Sequence, residues 1–215
     1  MDIKKLIYKN PALSGDYPDF KIEDAPDHPI DTFYEWFEHA VDAEVLEPSA
    51  FVFSTVDADE NPSARIVNLR DMDEGGFIIG SNSESRKGLD MENNNNVAMT
   101  FYWREVGRQI MITGRVEVAS EEENRADFLK RNKTSKALSI IGKQSDRLDS
   151  MDELDREMQS ATELVENDQE AYKTWTLYKV IPSEIEFFQA RKDLAHVRLK
   201  YERTDEDWNK SLLWP

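Results

Sequence analysis

The chain has 215 residues, with 44 Asp and Glu against 27 Lys and Arg, and its formal charge of −17 repels phosphodiester backbones and anionic lipid heads. Nucleic acid and membrane surfaces are therefore not expected as partners. Cysteine is absent, which excludes disulfides, thiolate nucleophiles and Cys-ligated metals, and His28, His39 and His196 stand too far apart to predict a metal site.

No apolar run is long enough to span a bilayer, and the start at Met1 leads into no signal-peptide core, so a cytoplasmic location is expected. Nothing rich in Pro, Gly or Ser divides the chain, which reads as an N-terminal arm (1–29) and a single domain (30–215). At 39% hydrophobic residues the core of a monomer is modest, and burial at a subunit interface is a natural way to complete it. In the arm, Pro and acidic groups follow no period. Asp31 then reads as an N-cap, ahead of a helical stripe of Phe33, Trp36, Phe37, Ala40 and Val41. Short β-rich runs follow at 50–56, 63–69, 77–81, 97–103 and 108–118, separated by turn clusters such as Asp73-Glu74-Gly75-Gly76. Residues 85–92 break the series as a short helix capped by Ser85. Two or three further helices are predicted over roughly 121–141 and 148–167, the last with Met151, Leu154, Met158, Ala161 and Val165 on one face. Strand character returns at 175–181, 184–188 and 197–201, and the end, Trp208 to Pro215, is too apolar for a free tail. The pattern predicts a mainly β, antiparallel barrel with peripheral helices.

No glycine-rich dinucleotide or P-loop fingerprint is present, and no nucleophile elbow supports a Ser-His-Asp triad. What stands out instead is a series of cationic and amide side chains beside apolar strands: Arg65-Ile66-Val67-Asn68-Leu69-Arg70, Ser85-Arg86-Lys87, Arg108-Gln109 and Gly142-Lys143-Gln144-Ser145. Forked and rotatable donors of this kind suit a phosphate, and amides suit a planar heterocycle attached to it. The stretch from Phe128 to Arg147 adds Lys130, Arg131, Lys133, Lys136, Lys143 and Arg147 against one acid, Asp146. It reads either as a focus for a small anion or as a solvated helix face.

The order and spacing of these groups resembles the pyridoxamine 5′-phosphate oxidase family of FMN-dependent oxidases, from about Ile30 to Pro215. The resemblance implies an FMN-binding split β-barrel and a homodimer with two shared FMN sites. It places Arg65, Arg86 and Lys87 on the cofactor phosphate, with Ile66, Val67, Asn68 and Arg70 along the cofactor and Gly80 and Ser81 nearby. Gln109 is implied as a further contact, Gln144 and Ser145 as a pair from the second subunit, Phe188 in place of a Trp packed on FMN, and Arg198 as the last cofactor arginine. Arg198 is also the implied cation for the reduced flavin, and His196 the catalytic histidine.

For the substrate phosphate the matching positions are Arg70, Asp127, Arg131 and Ser135, where the family has Lys, Tyr, Arg and Ser. A carboxylate at 127 repels a phosphate unless it turns away or pairs with Lys130 or Arg131. Gly80 stands where Tyr is common. Leu194 falls where the family has an Arg over the flavin face, and Arg191 is the neighbour that could reach in. The implied reaction is hydride transfer from a bound amine, alcohol or reduced heterocycle to flavin N5, with reoxidation by oxygen. A small phosphorylated or anionic heterocycle is the expected substrate, pyridoxamine or pyridoxine 5′-phosphate first. A same-fold oxidase of another reduced heterocycle, of the phenazine-biosynthesis type, and a non-catalytic flavin-binding protein are the alternatives.

Overall fold

A computed structural model describes residues 2–9, 13–165, 173–205 and 207–215. In chain order the elements are α1 (Ile3–Tyr8), α2 (Pro29–Asp42), β1 (Ala50–Val56), β2 (Pro62–Asn68), β3 (Asp71–Asp73), β4 (Gly76–Asn82), α3 (Arg86–Asn93), β5 (Asn96–Trp103), β6 (Arg108–Val118), α4 (Glu121–Lys130), α5 (Lys133–Ile141), α6 (Met151–Leu164), β7 (Trp175–Gln189), β8 (Val197–Arg203) and β9 (Trp208–Leu212). The strands hydrogen-bond in the order β2-β1-β5-β6-β7-β4-β3, with β8 on β7 and β9 on β8. The pairs β3–β4, β4–β7, β7–β8 and β8–β9 are antiparallel. No helix among the described residues is long and apolar enough to cross a membrane.

Two compact units divide the chain, and their boundaries fall inside β1, β5, β6 and β7. The first comprises 1–53, 98–113 and 182–215. Its core grows from α2, whose buried Phe33 meets Phe101 at 5.2 Å between ring centroids, while Trp36 meets Phe187 at 5.1 Å. Offset and edge contacts of this kind add to the area that each ring buries. The cap of α2 lies at His28 and not at Asp31: His28 Nδ1 accepts from the Ile30 N–H at 3.3 Å, and Pro29 takes the first turn, where its missing N–H costs nothing. Val41 departs from the predicted stripe and is about half exposed.

The second unit comprises 54–97 and 114–181. Here β4 buries Phe77 and Ile79 on one face and pairs with the first half of β7, from Phe77 opposite Val180 to Asn82 opposite Trp175. The two short strands expected at 175–181 and 184–188 form one continuous β7. Pro182, which lacks a ladder donor, stands between the half that pairs with β4 and the half, Glu184 to Gln189, that pairs with β8. Of the two or three helices expected over 121–141 and 148–167 three form, because Asn132 caps a new helix within the first span by accepting from the Ser135 N–H at 2.8 Å.

Candidate functional site

In the second unit, β2 alternates so that Arg65 and Val67 share one face while Ile66 and Asn68 share the other, with Arg70 two residues beyond its end. Arg65 donates to Thr55 Oγ1 at 2.7 Å and to Ser63 Oγ at 2.6 Å, and the buried Asp90 lies 3.8 Å away. Next to this group, Ser85 caps α3 and puts Arg86 and Lys87 in the first turn. Two cations at the positive end of a helix dipole are unfavourable until an anion joins them. Lys87 is buried, with Nζ donating to Ser85 Oγ at 3.2 Å and to Gln144 Oε1 at 2.9 Å, both neutral oxygens. Burial first, and Arg65 beside it second, push Lys87 down to about 8. Arg65 is itself lowered, chiefly by burial and in part by Arg86, while Arg86 lies 3.9 Å from Asp57. Three clustered cations, two of them held on hydroxyl and amide oxygens that accept from them, fit the phosphate of FMN. Gln144 reaches Lys87 within one chain, because the loop after α5 turns back onto α3.

A cavity of about 580 Å³ lies beside this group and is bordered by Ile66, Asn68, Gly80, Ser81, Lys87 and Trp175, among others. At its edge Asp127 accepts from Arg70 Nη2 at 2.7 Å and from Arg70 Nε at 3.1 Å through one oxygen, and from Trp175 Nε1 at 2.8 Å through the other. Asp127 is thus held by Arg70, a partner beyond the Lys130 and Arg131 that the sequence offered it. Arg131 instead lies flat on Trp175, 3.5 Å from the ring centroid, and donates to the Ser135 carbonyl at 3.2 Å. Its Nε is buried without a hydrogen bond. Gly80 is required here, since a Cβ would come within 2.4 Å of the Trp175 ring. The cations between 128 and 147 do not act as one focus: Lys143 pairs with Glu157 at 3.0 Å and Arg147 with Asp149 at 3.4 Å. Ser145, at φ +82°, is exposed.

The first unit carries the remaining residues. Phe188 and His196 lie 5.0 Å apart between ring centroids, and the Arg191 N–H donates to His196 Nδ1 at 3.0 Å, leaving Nε2 for another partner. Arg198 donates to both carboxylate oxygens of Glu186 at 2.7 and 3.1 Å and to the Trp214 carbonyl at 2.9 Å. Hydrogen bonding to Glu186 raises the Arg198 pKa further. The Arg191 guanidinium is held by Asp193 at 2.8 Å, and Leu194, at φ +63°, is exposed. Gln109 is half-buried on β6, next to Arg108, whose buried guanidinium sits 4.2 Å over Trp36 and donates to Gln189 at 2.9 Å. Burial pushes Arg108 down to about 10.

The sequence reading missed Trp175, Asp90 and Thr55. Thr55 and Trp175 read only as strand residues and Asp90 only as part of a short helix, and only long-range pairing brings each to a functional group. Among the described residues no group of three or more His, Cys, Asp or Glu side chains could hold a metal ion.

Residues 37–180 match the family model described as pyridoxamine 5′-phosphate oxidase, and residues 175–215 match that of the pyridoxine 5′-phosphate oxidase C-terminal dimerisation region, which supports a homodimer. A pyridoxine/pyridoxamine 5′-phosphate oxidase from Trichormus variabilis is 38% identical over 190 residues, covering 87% of this chain and 89% of that protein. One from Paraburkholderia phytofirmans is 36% identical over 196 residues, covering 90% and 92%. Among solved structures, PhzG from Burkholderia lata, in complex with tetrahydrophenazine-1-carboxylic acid, superposes with a TM-score of 0.86 at 30% identity, covering 94% of this chain and all of that one.

Proposed function

Because the chain belongs to the pyridoxamine 5′-phosphate oxidase family and is an FMN-dependent oxidoreductase, we propose that it oxidises a small anionic heterocycle in a homodimer. The observation that carries the cofactor side is Lys87, buried at the start of α3 against neutral oxygens and repelled by Arg65, which together prepare a place for a phosphate. Arg65, Arg86 and Lys87 would hold that phosphate, Ile66, Val67 and Asn68 would lie along the cofactor, and Gln109, Phe188 and Arg198 would make the further contacts that the family resemblance assigns. FMN, when bound, accepts a hydride from the donor carbon and returns to its oxidised state with oxygen. The protein's own tasks are to orient the donor and to exclude water. His196, whose Nδ1 accepts the Arg191 N–H, presents its Nε2–H as a donor for the substrate.

Pyridoxine 5′-phosphate is the first substrate to test, with Arg70, Arg131 and Ser135 as its phosphate ligands. A second reading, oxidation of another reduced heterocycle, is favoured by Leu194: where the family has a guanidinium this loop has an exposed apolar side chain, and Arg191 is held by Asp193. The test is peroxide formation by the yellow protein with pyridoxine 5′-phosphate and with a panel of reduced heterocycles. Peroxide with neither, from protein saturated with FMN, would leave a flavin-binding protein without turnover.

A further inference from the structure

Three departures from the family pattern, Arg70, Gly80 and Asp127, form one linked arrangement around Trp175. Gly80 leaves the space that the Trp175 ring occupies, since a Cβ there would stand 2.4 Å from it. Trp175 Nε1 then donates to one oxygen of Asp127 at 2.8 Å, and the other oxygen takes both donors of Arg70. Asp127 is mostly buried, with 17% of its side chain exposed, so solvent screens this charge only in part. Arg131 stacks on the same ring and has a buried Nε without a partner.

Two guanidiniums and one carboxylate leave a single net positive charge at this cluster. Taking an anion out of water costs energy that rises with the square of its charge, while its attraction to one net positive charge rises only linearly, so a phosphate dianion is the less favoured there and would face the Asp127 carboxylate. A carboxylate is matched in charge, and its plane suits the edge of a guanidinium. We infer that Asp127 is a specificity-determining residue, which neutralises Arg70 and sets the cluster for a heterocycle bearing one carboxylate in preference to one bearing a phosphate. The inference rests on the reading of Arg70, Asp127, Arg131 and Ser135 as the substrate-anion site.

The test uses the FMN-loaded protein and follows binding of pyridoxine 5′-phosphate and of phenazine-1-carboxylate by calorimetry and by perturbation of the flavin spectrum. Wild type should bind the carboxylate more tightly. Coulomb energy scales with ligand charge, so Asp127→Asn should tighten the carboxylate by a few-fold and the phosphate by roughly the square of that factor. Asp127→Tyr, which restores the family's residue, should move preference the same way and guards against a folding defect in the first variant. Equal factors for the two ligands, or a wild-type preference for the phosphate, would overturn the inference. If Arg131→Ala changes neither affinity, the cluster is not the substrate site, and the underlying reading fails instead.

Discussion

At the scale of single residues, Lys87 makes the cofactor reading measurable through two opposite pH slopes. Its folded pKa, about 8, lies below the ordinary 10.5, so between these values the unfolded chain binds more protons than the folded one. Stability of the FMN-free protein due to this group therefore rises with pH across that window. Affinity for FMN should do the reverse, because the cation that holds the phosphate is lost as pH passes about 8. Fluorescence titration of the free protein with FMN from pH 7 to 9.5 should show progressive weakening, and Lys87→Met should flatten both slopes. Arg86→Ala combined with Lys87→Ala should release the cofactor on dialysis, each charge-assisted contact contributing roughly 1.5 to 3 kcal/mol. A double variant that stays yellow would place the phosphate elsewhere. Leu194 carries a separate expectation: Leu194→Arg should raise kcat for pyridoxine 5′-phosphate more than it lowers KM, as an interaction made mainly in the transition state does. Since Asp193 already holds Arg191, Arg191→Ala should change little; a large loss of activity would show that Arg191 fills the missing role.

At the scale of elements, the contact of β4 with β7 is what Gly80 allows. Gly80→Ala forces a Cβ toward the Trp175 ring and the Arg70 side chain, at 2.4 and 2.9 Å, so it should destabilise by about 1 to 3 kcal/mol. Urea unfolding would measure this, and Trp175→Ala in the same chain should recover part of the loss. Unchanged stability in the single variant would mean that the ring has room to move. Most strands were legible because alternation of buried and exposed residues is a local property: β1 and β6 have the boundaries that the sequence predicted. The misses have local causes as well. Pro182 reads as a break, yet a proline is tolerated where a strand changes partners. The run 121–141 reads as one helix or two, and Asn132, which competes for the backbone of the next turn, makes it two. The charge-rich stretch 128–147 showed its composition but not its partners, since Glu157 and Trp175 reach it only after folding. For the same reason the cations of the candidate site were visible in sequence and the residues that hold them, Thr55, Asp90 and Trp175, were not.

At the scale of the whole molecule, net charge and cofactor charge make salt act in opposite directions on two linked equilibria. Each chain carries −17, so bringing two together costs electrostatic repulsion that salt screens. Dimer formation through the region matched at 175–215 should tighten as ionic strength rises from about 0.02 to 0.3 M, a range over which the Debye length falls severalfold. If Arg65, Arg86 and Lys87 hold the FMN phosphate as proposed, FMN binding is an attraction between opposite charges and should weaken over the same range. If the two FMN sites are shared between subunits, the equilibria are coupled, because a ligand that binds only the dimer stabilises it by mass action. Sedimentation of the FMN-free protein at several salt concentrations gives the first slope, and FMN titration at a protein concentration where the dimer is saturated gives the second. Adding FMN at low salt should then restore the dimer that repulsion has weakened. An FMN-saturated monomer would break the coupling and show that one chain holds the whole site.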